Sequence, residues 1–127
     1  ATAEANFTFD GSILVQNLEY ERRTAAITVA DGSSETLISV NSTTYLGMVI
    51  DYTVLGDDGR ARFGTVRAIF DGSSIIIDET STTDLNNQTF HITFTGSAGA
   101  NATITVSNAS GSGYDAEIKA FINMIER

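Results

Sequence analysis

Few residues in this chain carry the side chains that catalysis or ligation needs. His91 is the only histidine, so a Ser-His-Asp triad could be built only around it. No Gly-x-Ser-x-Gly elbow accompanies it, and it lies on a Thr-rich strand face, which reads as a surface position. Histidine ligation of a metal needs partners, and none is near it in sequence. Carboxylates cluster at Asp57-Asp58 and at Asp78-Glu79 with Asp84. Calcium wants several oxygens converging from one loop, as in the Asp-x-Asp-x-Asp-Gly pattern, which is absent. A glycosidase pair would need a carboxyl kept protonated beside an ionised one, and nothing in the sequence supplies that contrast. Arg60, Arg62 and Arg67 make a basic island whose simplest reading is cross-strand pairing with neighbouring acids. Asn-x-Ser/Thr sequons stand at Asn6, Asn41, Asn87, Asn101 and Asn108, and would matter only in a pathway that glycosylates. No catalytic, cofactor-binding or metal residue is therefore assigned, and no receptor-binding residue is identified.

Composition narrows the partners. The 127 residues hold seven Lys and Arg against sixteen Asp and Glu, a net charge of −9. Nucleic-acid binding needs clustered cations to neutralise phosphate, so that partner is excluded. The longest apolar runs, Met48-Val49-Ile50 and Ile75-Ile76-Ile77, are far too short for a helical membrane span, and no membrane partner is expected. With no Cys, disulfides and thiol nucleophiles are ruled out. Hydrophobic residues make up 42% and charged residues 18%, the balance of one globular, soluble domain. Residue 1 is Ala rather than Met, which reads as a processed chain or a piece of a longer one.

The elements that would position any site are strands. Between Tyr45 and Thr80 three apolar runs are separated by Asp58-Gly59 and Asp71-Gly72 turns, the strongest short-range hairpin signal. Asp10-Gly11 and Asp31-Gly32 repeat the dipeptide at uneven spacing, read as recurrent hairpin chemistry. Alternation predicts strands near Asn6 to Phe9, Ile13 to Gln16, Thr24 to Ala30, Thr36 to Asn41, Thr44 to Leu55, Arg60 to Phe70, Ser74 to Glu79, Thr89 to Thr95 and Ala102 to Asn108. Gln16 to Arg23 is charged and without alternation. Phe90, Ile92 and Phe94 share one face. So do Leu46, Met48, Ile50, Tyr52 and Val54, and so do Val66, Ala68 and Phe70. Val49, Leu55, Phe63 and Ile69 make the opposite faces apolar too, so these strands read as buried on both sides, by a second sheet's edge, an N-terminal arm or neighbouring subunits. Tyr114 to Arg127 fits both a helix (Ile118, Phe121, Ile122, Ile125) and a strand (Ile118, Ala120, Ile122). Gly111 to Gly113 upstream suits a hairpin return and favours the strand. The fold class is all-β, an antiparallel sandwich of jelly-roll-like type. An N-terminal arm with a short β-unit would occupy 1–24 and the sandwich domain 25–127.

The ordered segments ITVADGSSETLISV, TTYLGMVIDYTVL, RARFGTVRAIFDGSSIIIDETSTTD and FHITFTG, followed by a terminal strand, resemble the β-rich domain found toward the C-termini of tailed-phage fibre and other virion structural proteins. The likeness spans about Ala25 to Arg127, and NFTFDGSILVQNL looks like the short β-units that precede such domains. DAEIKAFINMIER departs from the pattern. The resemblance implies a non-enzymatic virion component in a tail fibre, appendage or capsid decoration. It further implies a homo-oligomer, a trimer above all, contacting other virion proteins and a host-surface glycan, with no cofactor. The rival reading is a monomeric carbohydrate-binding or adhesin module, which would want aromatic platforms. There is no Trp, and the strand-associated tyrosines are Tyr45, Tyr52 and Tyr114.

Overall fold

In the computed structural model, which describes residues 20–85, 91–109, 111 and 113–127, eight strands follow one another with no helix among them. They are β1 (Tyr20–Val29), β2 (Ser34–Asn41), β3 (Tyr45–Gly56), β4 (Ala61–Phe70), β5 (Ile75–Ser81), β6 (Ile92–Ser97), β7 (Asn101–Asn108) and β8 (Ala116–Glu126). They form two antiparallel sheets, one ordered β1-β8-β3-β4-β5 and the other β2-β7-β6. The all-β sandwich expected from the alternation is the observed architecture. β1 pairs with β8, β2 with β7, β4 with β5, and β3 with both β4 and β8, giving sheets of five and three strands.

Period-2 alternation explains the core. On β8, Ala116, Ile118, Ala120, Ile122 and Met124 point inward, opposite Ile50, Tyr52 and Val54 of β3 and Val66, Ala68 and Phe70 of β4. Ile38, Val40, Ile92, Phe94, Ala102, Ile104 and Val106 close the core from the smaller sheet, each fully buried Ile or Val contributing roughly 1.5–3 kcal/mol. Tyr52 meets Phe94 across the gap with ring centroids 4.5 Å apart. Where β5 faces β6, Gly96 lets the sheets approach: a Cβ there would lie 2.9 Å from Ile75 Cδ1 and 3.0 Å from Ile77 Cγ2.

The terminal segment is a strand, as Gly111 to Gly113 upstream favoured: β8 (Ala116–Glu126) lies in the centre of its sheet, between β1 and β3. Several other expectations are corrected. Gly111 and Gly113, both at positive φ, do not make a hairpin return, because β7 and β8 lie in different sheets and the loop crosses between them. Asp31-Gly32 likewise joins β1 to β2 across the sandwich. Of the Asp-Gly dipeptides among the described residues, Asp58-Gly59 and Asp71-Gly72 are hairpin turns. Gly59 has φ 92°, but the second turn rests on Asp71, whose Oδ1 accepts from Ser73 N (2.7 Å) and Ser74 N (2.8 Å). Leu46 leaves the face of Met48 and Ile50: a bulge between Tyr45 and Gly47 turns it out to solvent and puts Tyr45 in the core. Tyr20 to Arg23, read as irregular, pair with Ile125 to Ile122 as the start of β1. The strands expected at Asn6 to Phe9 and Ile13 to Gln16, the Asp10-Gly11 turn, and Phe90 lie outside the described residues.

Candidate functional site

The singled-out polar residues sort into three places. His91 is exposed, just before β6, and its backbone N–H donates to Tyr114 Oη at 3.3 Å. Asp57 and Asp58 serve the β3–β4 turn: Asp57 Oδ2 accepts from Asp115 N (3.3 Å), and Asp58 pairs with Arg60 at 2.6 Å. The Arg60 guanidinium lies over the Tyr114 ring, 4.1 Å from its centroid. Of the sequons, Asn6 and Asn87 lie outside the described residues. Asn41 Oδ1 accepts from Thr43 N and Thr44 N in the turn before β3. Asn108 is buried, its amide donating to Val29 O (3.1 Å) and Tyr114 O (3.0 Å). That nitrogen holds the ends of β1 and β7 to the β8 approach, so it is not an acceptor for a glycan in the folded chain.

Arg62, Glu79, Asp84 and Tyr52 come together at one end of the sandwich. Alternation on β4 turns Arg62 to the inner side, and its Nε donates to Asp84 Oδ1 at 2.8 Å while Nη1 reaches Glu79 at 3.6 Å and Ile92 O at 3.3 Å. Tyr52 Oη donates to Glu79. Burial first, and that bond second, push the Tyr52 phenol far above its ordinary value, so it stays a donor. Burial works against the Arg62 charge, but Asp84 and Tyr52 outweigh it, and the guanidinium is held protonated. Room for the phenol comes from Gly64, directly across from Tyr52, where a Cβ would stand 2.5 Å from the Tyr52 oxygen. Glycoside hydrolysis uses two carboxyls in opposite protonation states with the scissile bond between them. Here one guanidinium stands with both carboxylates, an arrangement suited to tying β4, β5 and the following turn together. A second pairing of this kind is Tyr45 Oη donating to Glu21, which lowers the Glu21 carboxyl below its usual range. No group of metal-ligating side chains occurs among the described residues.

The third place is the outer face of the five-stranded sheet. Leu46, Leu55, Phe63, Ile69, Ile76, Phe121 and Ile125 are exposed there. The described residues cover the inner face and leave these outer-face side chains exposed. Two shallow depressions mark the outer face. One, about 370 Å³, lies among Leu46, Val49, Ile69, Ile76 and Ile125. The other, about 640 Å³, lies between Phe63 and Phe121 over Asp51 and Thr53, with Lys119 beside it. Arg67 pairs with Asp78 across β4 and β5 on this face, as the basic island was expected to do. Thr65 Oγ1 donates to Asp51 at 2.8 Å, and Arg22 lies over Phe121, 5.3 Å from the ring centroid. Alternation marked this face in part, through Val49, Leu55, Phe63 and Ile69, and Phe121 and Ile125 of β8 occupy the same phase opposite to the core. The Arg62 cluster joins residues up to 32 positions apart and carries no local signal beyond a glycine inside a strand at Gly64.

No protein-family description and no curated protein matches the chain. Among solved structures the fold is similar to part of the tailspike protein gp49 of Acinetobacter baumannii bacteriophage Fri1, a capsular polysaccharide depolymerase. That likeness has a TM-score of 0.51 at 12% identity, covering 83% of this chain and 18% of the tailspike. The tailspike protein of Acinetobacter phage vB_ApiP_P1 aligns with a TM-score of 0.40 at 14% identity, over 90% of this chain and 23% of that one. The chain thus spans about a fifth of the length of the tailspikes it matches. What is shared is the fold, an all-β sandwich that occurs as one portion of a much longer protein.

Proposed function

We propose that the chain is a structural domain of a tailed-phage virion protein, in a tail fibre, appendage or capsid decoration. In this reading it assembles as a homo-oligomer, with three copies favoured, joins other virion proteins, and stands where the particle meets host-surface glycan. The observation that carries the reading is the fold match: nearly the whole sandwich aligns with under a fifth of a phage tailspike, as a modular portion of a tail protein would. The exposed apolar face supports assembly, since an isolated domain seldom leaves so much aliphatic and aromatic surface to water. The stretch 1–24 is in this reading an N-terminal arm with a short β-unit, and the sheet already begins inside it at Tyr20.

The domain itself is proposed as non-enzymatic, with no cofactor. Depolymerase activity belongs to the full-length tailspike named above. In this chain the carboxylates that stand together are engaged by Arg62 and Tyr52, which argues for a structural use of both. The test is incubation of the purified chain with capsular polysaccharides while reducing ends are counted. The reading predicts no release above background, and turnover abolished by Glu79→Gln would refute it.

A monomeric carbohydrate-binding module is the second reading, favoured by one feature, the Phe63–Phe121 depression with its polar floor of Asp51 and Thr53. Against it, Tyr45, Tyr52 and Tyr114 are all buried and offer no stacking platform. Saturable glycan binding by a monomer, lost in Phe121→Ala, would favour this reading over the first.

A further inference from the structure

The outer face of the five-stranded sheet, we infer, is the surface through which copies of this chain pack on one another. This rests on the oligomeric reading above and adds to it the face that makes the contact.

The two outer faces of the sandwich differ in kind. Across the three-stranded sheet the outward positions are Ser39, Thr93, Thr95, Thr103, Thr105 and Ser107, bonded to one another in places, as between Ser39 Oγ and Thr103 Oγ1 at 3.0 Å. That is a face built for water. Across the five-stranded sheet the outward rows instead carry Ile125, Ile69 and Ile76 at one end and Phe121 and Phe63 further along, with Phe63 57% and Ile76 70% exposed. Covering such side chains returns about 25 cal/mol for each Å² of apolar area removed from water.

Charge selects the occupant. The chain carries −9 overall, so two copies repel through most of their surfaces. On this face the balance is different. Arg22, Arg67 and Lys119 project from it alongside Asp51, Asp78 and Glu117, three cations interleaved with three anions. Nearly half of the chain's seven basic residues are gathered on one sheet face and matched there by an equal number of acids. A nucleic acid or an acidic polymer would want a cationic surplus, and a basic partner would be drawn to the acidic remainder of the molecule. A second copy presenting the same neutral mixture of apolar rows and alternating charges meets this face without like-charge repulsion and can pair its cations with the other's anions. The acid excess stays outward, limiting growth beyond the closed assembly.

The absence of cysteine makes the test direct. Thr53→Cys puts one thiol at the centre of the face on β3, and Thr95→Cys puts one on the outer face of the smaller sheet. Both replace exposed strand threonines. Maleimide labelling rates are read on each full-length variant together with its mass by light scattering. The inference predicts a multiple of the monomer mass, with the thiol of Thr53→Cys reacting at least about tenfold more slowly than that of Thr95→Cys, since thiol reactivity follows exposure. Equal rates in an oligomer would place the contact elsewhere, overturning this inference while the oligomeric reading stands. A slow thiol in a monomer would mean that another part of the same chain covers the face, which also overturns the inference. A monomer with equal rates would refute the oligomeric reading itself.

Discussion

Gly64→Ala adds one methyl group at the tightest point of the inner face, and its cost can be worked from the geometry. The new Cβ would stand 2.5 Å from Tyr52 Oη, 2.6 Å from Tyr52 Cζ and 2.8 Å from the carbonyl oxygen of Thr80. Ordinary carbon contacts sit at about 3.5 Å or more, so the phenol must retreat by about 1 Å. It has nowhere to go without loss, being 1% exposed, packed at a tilt against Phe94 and bonded to Glu79. Overpacking alone costs roughly 1–3 kcal/mol, and breaking a hydrogen bond to a carboxylate adds roughly 1.5–3 kcal/mol. Alanine in place of glycine inside a strand returns roughly 0.5–1 kcal/mol. The net is a destabilisation of about 1.5–5.5 kcal/mol, a large share of the 5–15 kcal/mol typical of a domain. Urea denaturation followed by circular dichroism measures it, and the same substitution in a Tyr52→Phe background identifies the cause. In that background the hydrogen bond to Glu79 is already gone and cannot be lost again, although the close approaches to the ring and to Thr80 O remain, so the two changes should be non-additive, the second costing at least about 1 kcal/mol less than alone. A Gly64→Ala protein within about 0.5 kcal/mol of the parent, or additive energies in the double mutant, would refute the reasoning.

Other outcomes follow from the same contacts. Asn108→Ala strands the carbonyls of Val29 and Tyr114 in a buried site and should lower stability by about 2–3 kcal/mol, read as a drop of several degrees in the thermal midpoint. Thr95→Ala, on the solvent face, should leave that midpoint unchanged. Glu21, Asp58 and Asp71 all have carboxyls depressed in the folded chain, Glu21 chiefly by the Tyr45 hydroxyl, Asp58 by Arg60 and Asp71 by backbone N–H groups of Ser73 and Ser74. Their stabilisation is complete above the ordinary carboxylate range and is lost as pH falls through the depressed values. Urea midpoints should therefore be flat from pH 7 to about 5 and decline below about pH 4.5, and Glu21→Gln should make the acid decline shallower. An unchanged profile in that variant would contradict the assignment to Glu21.

Much of the fold was legible because one sheet face is buried and the strand period is 2. Ile50, Val54, Val66, Ile118 and Ile122 are in phase with the core and lie there. Legibility failed where a local event shifted the phase. A bulge at Tyr45–Gly47 exchanged Leu46 for Tyr45, and another between Thr36 and Ile38 lets Leu37 and Ile38 both be buried in succession. The Asp-Gly signal marks a tight turn but does not state which sheet the chain enters next, so Asp31-Gly32 read as a hairpin and is a crossover. Its Asp31 carboxylate accepts from Gly111 N and Gly113 N, a tie spanning some eighty residues that no local pattern encodes. Apolar character on both faces of β3 and β4 was visible. Whether the second face is covered depends on atoms beyond one sandwich, and that is where pattern reading ends.

The central claim is that the uncovered sheet face belongs to an assembly. Size-exclusion chromatography with multi-angle light scattering on the unmodified chain tests it most directly. The account predicts a mass that is a multiple of 13.5 kDa, about 40 kDa for the favoured three copies. A mass of 13.5 kDa that persists at high protein concentration would contradict it.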